Sequence, residues 1–191
     1  EPHHAPAWFG LAQMAMTTRN FELAARLLGK AIAGAPNEPA NYVQLGICLA
    51  SMNRWELAVQ AQRKALQLAP EYLPALACLG KALCARNQVS ESIACLQQAL
   101  RLAPDLAAAH WNLALSLLVA GRLLEGWEEF EWRLQVNPQL DPKLGVPRWQ
   151  GERVPRQTVL LCAEQGIGDC LQFVRYASLV KARVGRVVLS C

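Results

Sequence analysis

Apolar positions fall at helical spacing from Ala5 to Leu140, and the pattern breaks at regular points. One set of breaks is polar: Thr18-Arg19-Asn20, Asn53-Arg54, Arg86-Asn87-Gln88 and Gly121-Arg122. A second set is marked by Pro36, Pro70, Pro104 and Pro138, evenly spaced along the chain. The chain therefore divides into four copies of one unit, 5–38, 39–72, 73–106 and 107–140. Their columns agree. The fourth position is Trp8, Tyr42, Leu76, His110, and the seventh is always leucine: Leu11, Leu45, Leu79, Leu113. The eighth is small (Ala12, Gly46, Gly80, Ala114), as is the twentieth (Ala24, Ala58, Ser92, Gly126). The twenty-eighth is apolar: Ile32, Leu66, Leu100, Leu134.

Each copy predicts two short amphipathic helices. Small residues at positions eight and twenty let the two approach closely, and the proline disfavours helical geometry in the residue before it. A single pair cannot bury its apolar face, so neighbouring pairs stack around a shared core. Eight helices over 5–135 are expected, with boundaries that repeat at the interval of the prolines. A 34-residue period with these columns resembles the tetratricopeptide repeat, a helix–turn–helix unit. The resemblance implies a right-handed α–α superhelix whose first helices line a concave groove.

In that family, positions two, five, six, nine and twelve of each unit point into the groove. Here they include Phe9, Gln13, Met16, Val43, Ile47, Lys81, Trp111 and Leu115. The basic and asparagine clamp of chaperone-tail binders is missing, since Phe9 and Pro74 stand in two of its places. So is the asparagine ladder at position six, where Gly10, Gln44 and Cys78 precede Asn112. A mostly apolar groove suits an apolar peptide or protein segment, another copy of the chain in self-association, or packing against another domain.

The fourth copy departs from the rest. Position twenty-seven runs Ala31, Ala65, Ala99 and then Arg133; position twenty-six runs Lys30, Lys64, Gln98 and then Trp132. Position twenty-one grows from Ala25, Val59 and Ile93 to Trp127. A charged residue where alanine packs against the next unit implies that no fifth unit follows. Trp127, Phe130 and Leu134 share one helix face, and Trp132 lies off it, awaiting cover from later residues. Residues 136–157 read as a linker with Pro138, Pro142, Pro147 and Pro155, in which Trp149 docks near Trp132 at a junction.

The pattern then changes class. Thr158 to Ala163 reads as a buried strand, Glu164-Gln165-Gly166-Ile167-Gly168-Asp169 as a glycine loop, Cys170 to Arg183 as a helix, Val184-Gly185 as a turn and Arg186 to Cys191 as a second buried strand. This order opens a Rossmann-like parallel sheet. The expected fold is mainly α, a superhelix over 1–135, followed by an incomplete α/β segment over 158–191. The loop is no dinucleotide fingerprint, because Leu171 occupies the third glycine position. Asp169 opens the predicted helix with Gln172 three residues on, a capping-box pattern that accounts for it without chemistry.

Composition narrows the picture. The 191 residues are 53% hydrophobic, enough for a sizeable core. No apolar run approaches the roughly 18 residues of a membrane span, and no basic–aromatic stripe points to nucleic acid. The seven cysteines have no metal-ligand spacing and include helical positions, which suits reduced thiols and a cytoplasmic setting. The adjacent His3 and His4 are not spaced for one helix face, so no metal is expected. Glu1 to His4 fall where the tail of an earlier copy would lie, so further copies upstream are expected. Residues 1–140 are neutral, with 11 basic and 11 acidic side chains, while residues 141–191 hold 8 and 4 and supply the net charge of +4. That surplus suits an anionic ligand or ordinary surface charge.

The run Gly126-Trp127-Glu128-Glu129-Phe130-Glu131-Trp132-Arg133, then Pro147-Arg148-Trp149-Gln150-Gly151-Glu152, then the Gly168-Asp169 loop, resembles bacterial repeat proteins with a heptosyltransferase-type (GT-B) glycosyltransferase domain. The resemblance implies Asp169 as base on an acceptor hydroxyl, Glu164 as the second choice, and Gln165, Gly166 and Gly168 as the ligand loop. It implies a nucleotide sugar for an intact protein, with most of the donor site in a half-domain beyond these residues. This segment alone would need no cofactor and would not be active. Two functions therefore compete: the interaction part of a glycosyltransferase-like protein, or a repeat adaptor whose α/β tail is structural.

Overall fold

In a computed structural model, residues 4–141, 143–164 and 166–190 are described. The chain is mainly helical, with tetratricopeptide-type helix–turn–helix repeats and a small parallel sheet after them. It divides into two compact units, one ending at Val136 and the other beginning at Asn137.

The first unit holds α1 (Ala5–Thr17), α2 (Phe21–Gly34), α3 (Pro39–Ser51), α4 (Trp55–Leu68), α5 (Leu73–Ala85), α6 (Val89–Leu102), α7 (Ala107–Val119) and α8 (Leu123–Phe130). The helix starts recur at the interval of the prolines, as the columns predict. Each helix packs on its sequence neighbours, and α5 also packs on both α3 and α7, so first helices run side by side. The buried residues, mostly alanines and leucines, form three clusters along the repeats, with Leu28, Leu76, Leu83 and Leu96 fully enclosed.

The small columns set the helix spacing. A Cβ at Gly80 would stand 2.9 Å from Leu96 Cδ1 and closer still to its Cγ and Cδ2. One at Gly46 would stand 2.9 Å from Gln62 Cδ, and one at Gly126 would stand 2.8 Å from Leu118. Ala12, Ala24, Ala58 and Ala114 are buried in the same columns. Ser92, fully buried, turns its hydroxyl to the Gly80 carbonyl (2.7 Å) and to Ser116 Oγ (2.8 Å), and Ser116 reaches the Asn112 carbonyl (2.9 Å). Two hydroxyl protons are shared among these three contacts, and each serine oxygen has a hydrogen-bond partner. Gln62 is less well served: Nε2 donates to the Val43 carbonyl at 3.2 Å, and Oε1 is buried without a partner.

The turn inside each repeat carries a signal that the apolar columns do not show. Arg19, Asn53, Asn87 and Gly121 all have positive φ, at 60°, 59°, 60° and 77°. They occupy the same column of successive repeats, at the one position where the backbone must turn left-handed to start the second helix. Asn and Gly tolerate that geometry; arginine does so at a cost of about 1 kcal/mol.

The fourth repeat ends differently from its expected form. Its second helix stops at Phe130, and a separate short turn, α9 (Arg133–Val136), follows. Ala31, Ala65 and Ala99 are fully buried in this column, and an arginine cannot enter a socket of that size. Arg133 instead donates to the Phe130 carbonyl (3.2 Å) and pairs with Glu131 (3.1 Å), closing the broken end. Trp127, Phe130 and Leu134 thus do not share one continuous helix.

In the second unit β1 (Val154–Cys162) pairs in parallel with β2 (Val184–Ser190), in the register Thr158↔Arg186 to Cys162↔Ser190. Between them lie α10 (Ile167–Phe173), a 3-10 turn at Val174–Tyr176 and α11 (Ala177–Lys181). Four expectations are corrected here. The strand begins at Val154, so the last residues assigned to the linker belong to the sheet. Val184-Gly185 is strand, not turn: β1 bulges between Val154 and Thr158, and a Cβ at Gly185 would stand 2.7 Å from the Pro155 carbonyl oxygen. The strands are not buried; Val159 and Val184 alone are, because two strands with one crossover leave most of the sheet uncovered. The helix is broken and starts early, with Gly166 as its cap, so Asp169 sits in the first turn and does not cap it.

Two glycine exchanges should act in opposite directions. Arg19→Gly should raise the melting temperature, relieving up to about 1 kcal/mol at the left-handed turn. Gly80→Ala should lower it, at a cost of about 1–3 kcal/mol of stability, as a methyl is forced against Leu96. Thermal unfolding followed by circular dichroism reads both.

Candidate functional site

The four first helices, which are expected to line the groove, are unusual in charge. Across α1, α3, α5 and α7 there is no Asp, Glu or Arg, and Lys81 is the one formal cation. Every second helix carries at least one glutamate. Charge is thus sorted by helix, and the ion pairs Arg63–Glu91 (2.6 Å), Arg86–Glu56 and Arg122–Glu125 involve only second helices and turns.

The predicted groove residues separate into three kinds. Gln13, Lys81 and Leu115 are exposed. Phe9, Met16, Ile47 and Trp111 are half-buried; Phe9 and Met16 pack on the Ala12–Leu28 cluster, and Ile47 packs on the cluster around Val43 and Ala65. Phe9 also lines a shallow recess with Ala5, Pro6, Ala35, Glu38, Ala40 and Asn41. Val43 is corrected: it is 3% exposed, covered by Ala65 and Ala75, and offers nothing to a ligand. Asn112 spends its amide on the Ala77 carbonyl at 3.2 Å, tying α7 to α5. Trp111 leans on Phe130 at 5.0 Å, and Trp127 meets the same ring edge-on at 5.1 Å.

His110 was not singled out for chemistry by the sequence, yet it organises the end of the fourth repeat. Its ring stacks on Trp132, centroids 3.9 Å apart and 4° from parallel. Its Nδ1 faces the Glu129 carboxylate, and its Nε2 lies 2.7 Å from the Pro104 carbonyl. Both partners are acceptors, so the doubly protonated ring satisfies both and a neutral ring satisfies one. Tyr42, in the same column, likewise donates to the carbonyl of Pro36 (2.9 Å). The cover found for Trp132 within this unit is therefore His110, a partner that no sequence pattern named. Trp149 belongs to the second unit, where its Nε1 donates to the Glu152 carbonyl at 2.8 Å.

In the second unit Gly166, Gly168 and Asp169 are exposed in the loop and first turn after β1, and Glu164 is half-buried. Gln165 lies outside the described residues, as does His3. Among the described residues no three metal-binding side chains come together, and no helix is long and apolar enough to cross a membrane.

Two family profiles match the chain and together span more than half of it: "Tetratricopeptide repeat" over residues 9–72 and "TPR repeat" over 80–119. The chain belongs to the tetratricopeptide repeat family. Protein FlbA of Caulobacter vibrioides is 34% identical over 70 residues, which is 36% of this chain and only 12% of FlbA. MamA (residues 41 to the end) of Desulfovibrio magneticus RS-1 superposes with a TM-score of 0.61 and 25% identity, over 71% of this chain and 76% of that one. The first TPR of Spaghetti (RPAP3), solved bound to the HSP90 peptide SRMEEVD, has a TM-score of 0.59 and 17% identity, over 63% of this chain and 96% of its own.

Thiol chemistry has little place in these repeats. Burial pushes the Cys48 and Cys95 thiols up to about 11, and desolvation also raises Cys78, partly offset by the nearby Lys81 ammonium. At pH 8 a disulfide-exchange reagent should label the exposed Cys162 quickly, and Cys48 and Cys95 only after unfolding. Because both folded values exceed the ordinary value near 9, stability should be fully present below pH 9 and fall as the pH climbs towards 11. Thiol titration and urea unfolding across that window check this.

Proposed function

We propose that the repeat unit is a protein-interaction scaffold whose concave face binds an extended peptide or protein segment. The sorting of charge carries this reading. First helices that hold one cation and no anion present an apolar inner face, while the outer helices keep the unit soluble. An apolar concave surface with a few half-buried side chains matches helical peptide-binding grooves. A similarly folded repeat protein, the first TPR of Spaghetti, holds a peptide, and that adds support. The chaperone-tail clamp is not formed by these residues, so a different peptide class is expected here. Nine-residue peptides displayed on phage and selected against the whole chain should be enriched over a blank surface. Leu115→Arg, on an exposed position, should cut their capture at least tenfold while leaving the circular dichroism spectrum unchanged. Absence of enrichment on the unaltered chain would remove this reading.

For the second unit we infer the opening strand–helix–strand of a larger doubly wound sheet of glycosyltransferase type. The parallel β1–β2 pairing favours it, since that is the unit from which such sheets grow. Asp169 is exposed at the C-terminal end of β1, where open parallel sheets take their ligands. In an intact protein it would accept the proton of an acceptor hydroxyl, with a nucleotide sugar as donor. Asp169→Asn in such a protein should reduce transfer by roughly 100-fold or more and leave stability unchanged, because Gly166 and not Asp169 caps the helix. An unchanged transfer rate would retire Asp169 as a base.

A further inference from the structure

Resting on the peptide-binding reading above, we infer that the groove selects a segment with one internal carboxylate, set on Lys81 and flanked on both sides by apolar side chains. Lys81 is exposed on α5, the helix that packs between α3 and α7. Among the described residues no carboxylate pairs with it. Its helical neighbours at three and four residues are Ala77, Cys78, Cys84 and Ala85, none of which is an anion. The same repeat position on the flanking helices is Ile47 on α3 and Leu115 on α7, one half-buried and one exposed. The inner face thus reads apolar, cationic, apolar along neighbouring helices.

Selectivity follows from what covering this face does to the ammonium. A segment lying in the groove removes water from Lys81. A wholly apolar segment would leave the charge desolvated and unpaired, which is heavily penalised. A segment with a carboxylate at that point replaces the lost water with a charge-assisted hydrogen bond. A cationic segment is rejected outright. The geometry also sets a spacing. Packed helix axes lie about 8–10 Å apart, and an extended chain advances about 3.3 Å per residue. The apolar anchors that meet Ile47 and Leu115 therefore fall about three residues on either side of the acid. An internal Asp or Glu is specified, because the groove continues past Lys81 in both directions.

The test uses the whole chain and the same phage-displayed nine-residue library, in which no peptide has a free C-terminal carboxylate. Enriched peptides should share an Asp or Glu with apolar residues about three positions away on each side. For the best of them, made synthetically with a fluorescein label, Lys81→Gln should weaken binding by at least about tenfold, as loss of a charged hydrogen bond requires. Lys81→Glu should reverse the selection and enrich Lys or Arg at the same place. Lys81 is exposed, so neither exchange disturbs the core. If the unaltered chain enriches peptides without an acid, or if Lys81→Glu enriches the same set, the carboxylate proposal is overturned while the groove reading stands. If nothing is enriched, both fall together.

Discussion

The distance between paired helices governs the repeat unit. Gly46 and Gly80 on first helices, and Ala58, Ser92 and Gly126 on second helices, sit where one helix lies directly on the other. At the three glycines a single methyl group collides with the facing side chain. Close approach then does two things at once. It encloses Leu28, Leu76 and Leu96, and it allows Ser92 to reach a carbonyl on the facing helix.

Most of the repeat architecture was legible because it is written as a period. Columns of leucine, alanine and glycine at fixed offsets determine which faces meet, and the helix boundaries follow. The left-handed turn column was equally periodic but harder to see. Arg19 disguises a position that Asn53, Asn87 and Gly121 would otherwise announce. The break after Phe130 was half legible: Arg133 and Trp132 marked a departure, but their side chains alone did not show that the helix would stop. The break is accompanied by a contact within the fourth repeat, the His110 ring stacked on Trp132, which no local pattern encodes. Val43 illustrates the same limit, since position five is half-buried at Phe9 and Trp111 and closed over at Val43 and Ala77.

The second unit was legible in topology and not in detail. Short apolar, β-rich runs pointed to two strands and a crossover, and parallel pairing follows from that order. The bulge opposite Gly185 depends on backbone contacts between residues some thirty positions apart, the openness of the sheet on how few elements cover it, and the early start of the helix on local backbone bonds to the Gly166 carbonyl. Asp169 shows the effect on chemistry. Moved from the cap into the first turn, its carboxylate loses the simple structural account that the capping pattern offered.

The interrupted second helix of the last repeat changes what that repeat can hold by itself. In a linear array each repeat is held by its neighbours, and stability is close to a sum of unit and interface terms. The second helix has fourteen residues in the first three repeats and eight in the fourth, so the fourth repeat's own helix pair is the least extensive of the four. Its first helix, α7, packs on both α5 and α6 of the repeat before it. The fourth repeat therefore leans on the third at least as much as on itself, and Leu115 and the His110–Trp132 stack keep their places only while the third repeat stays folded.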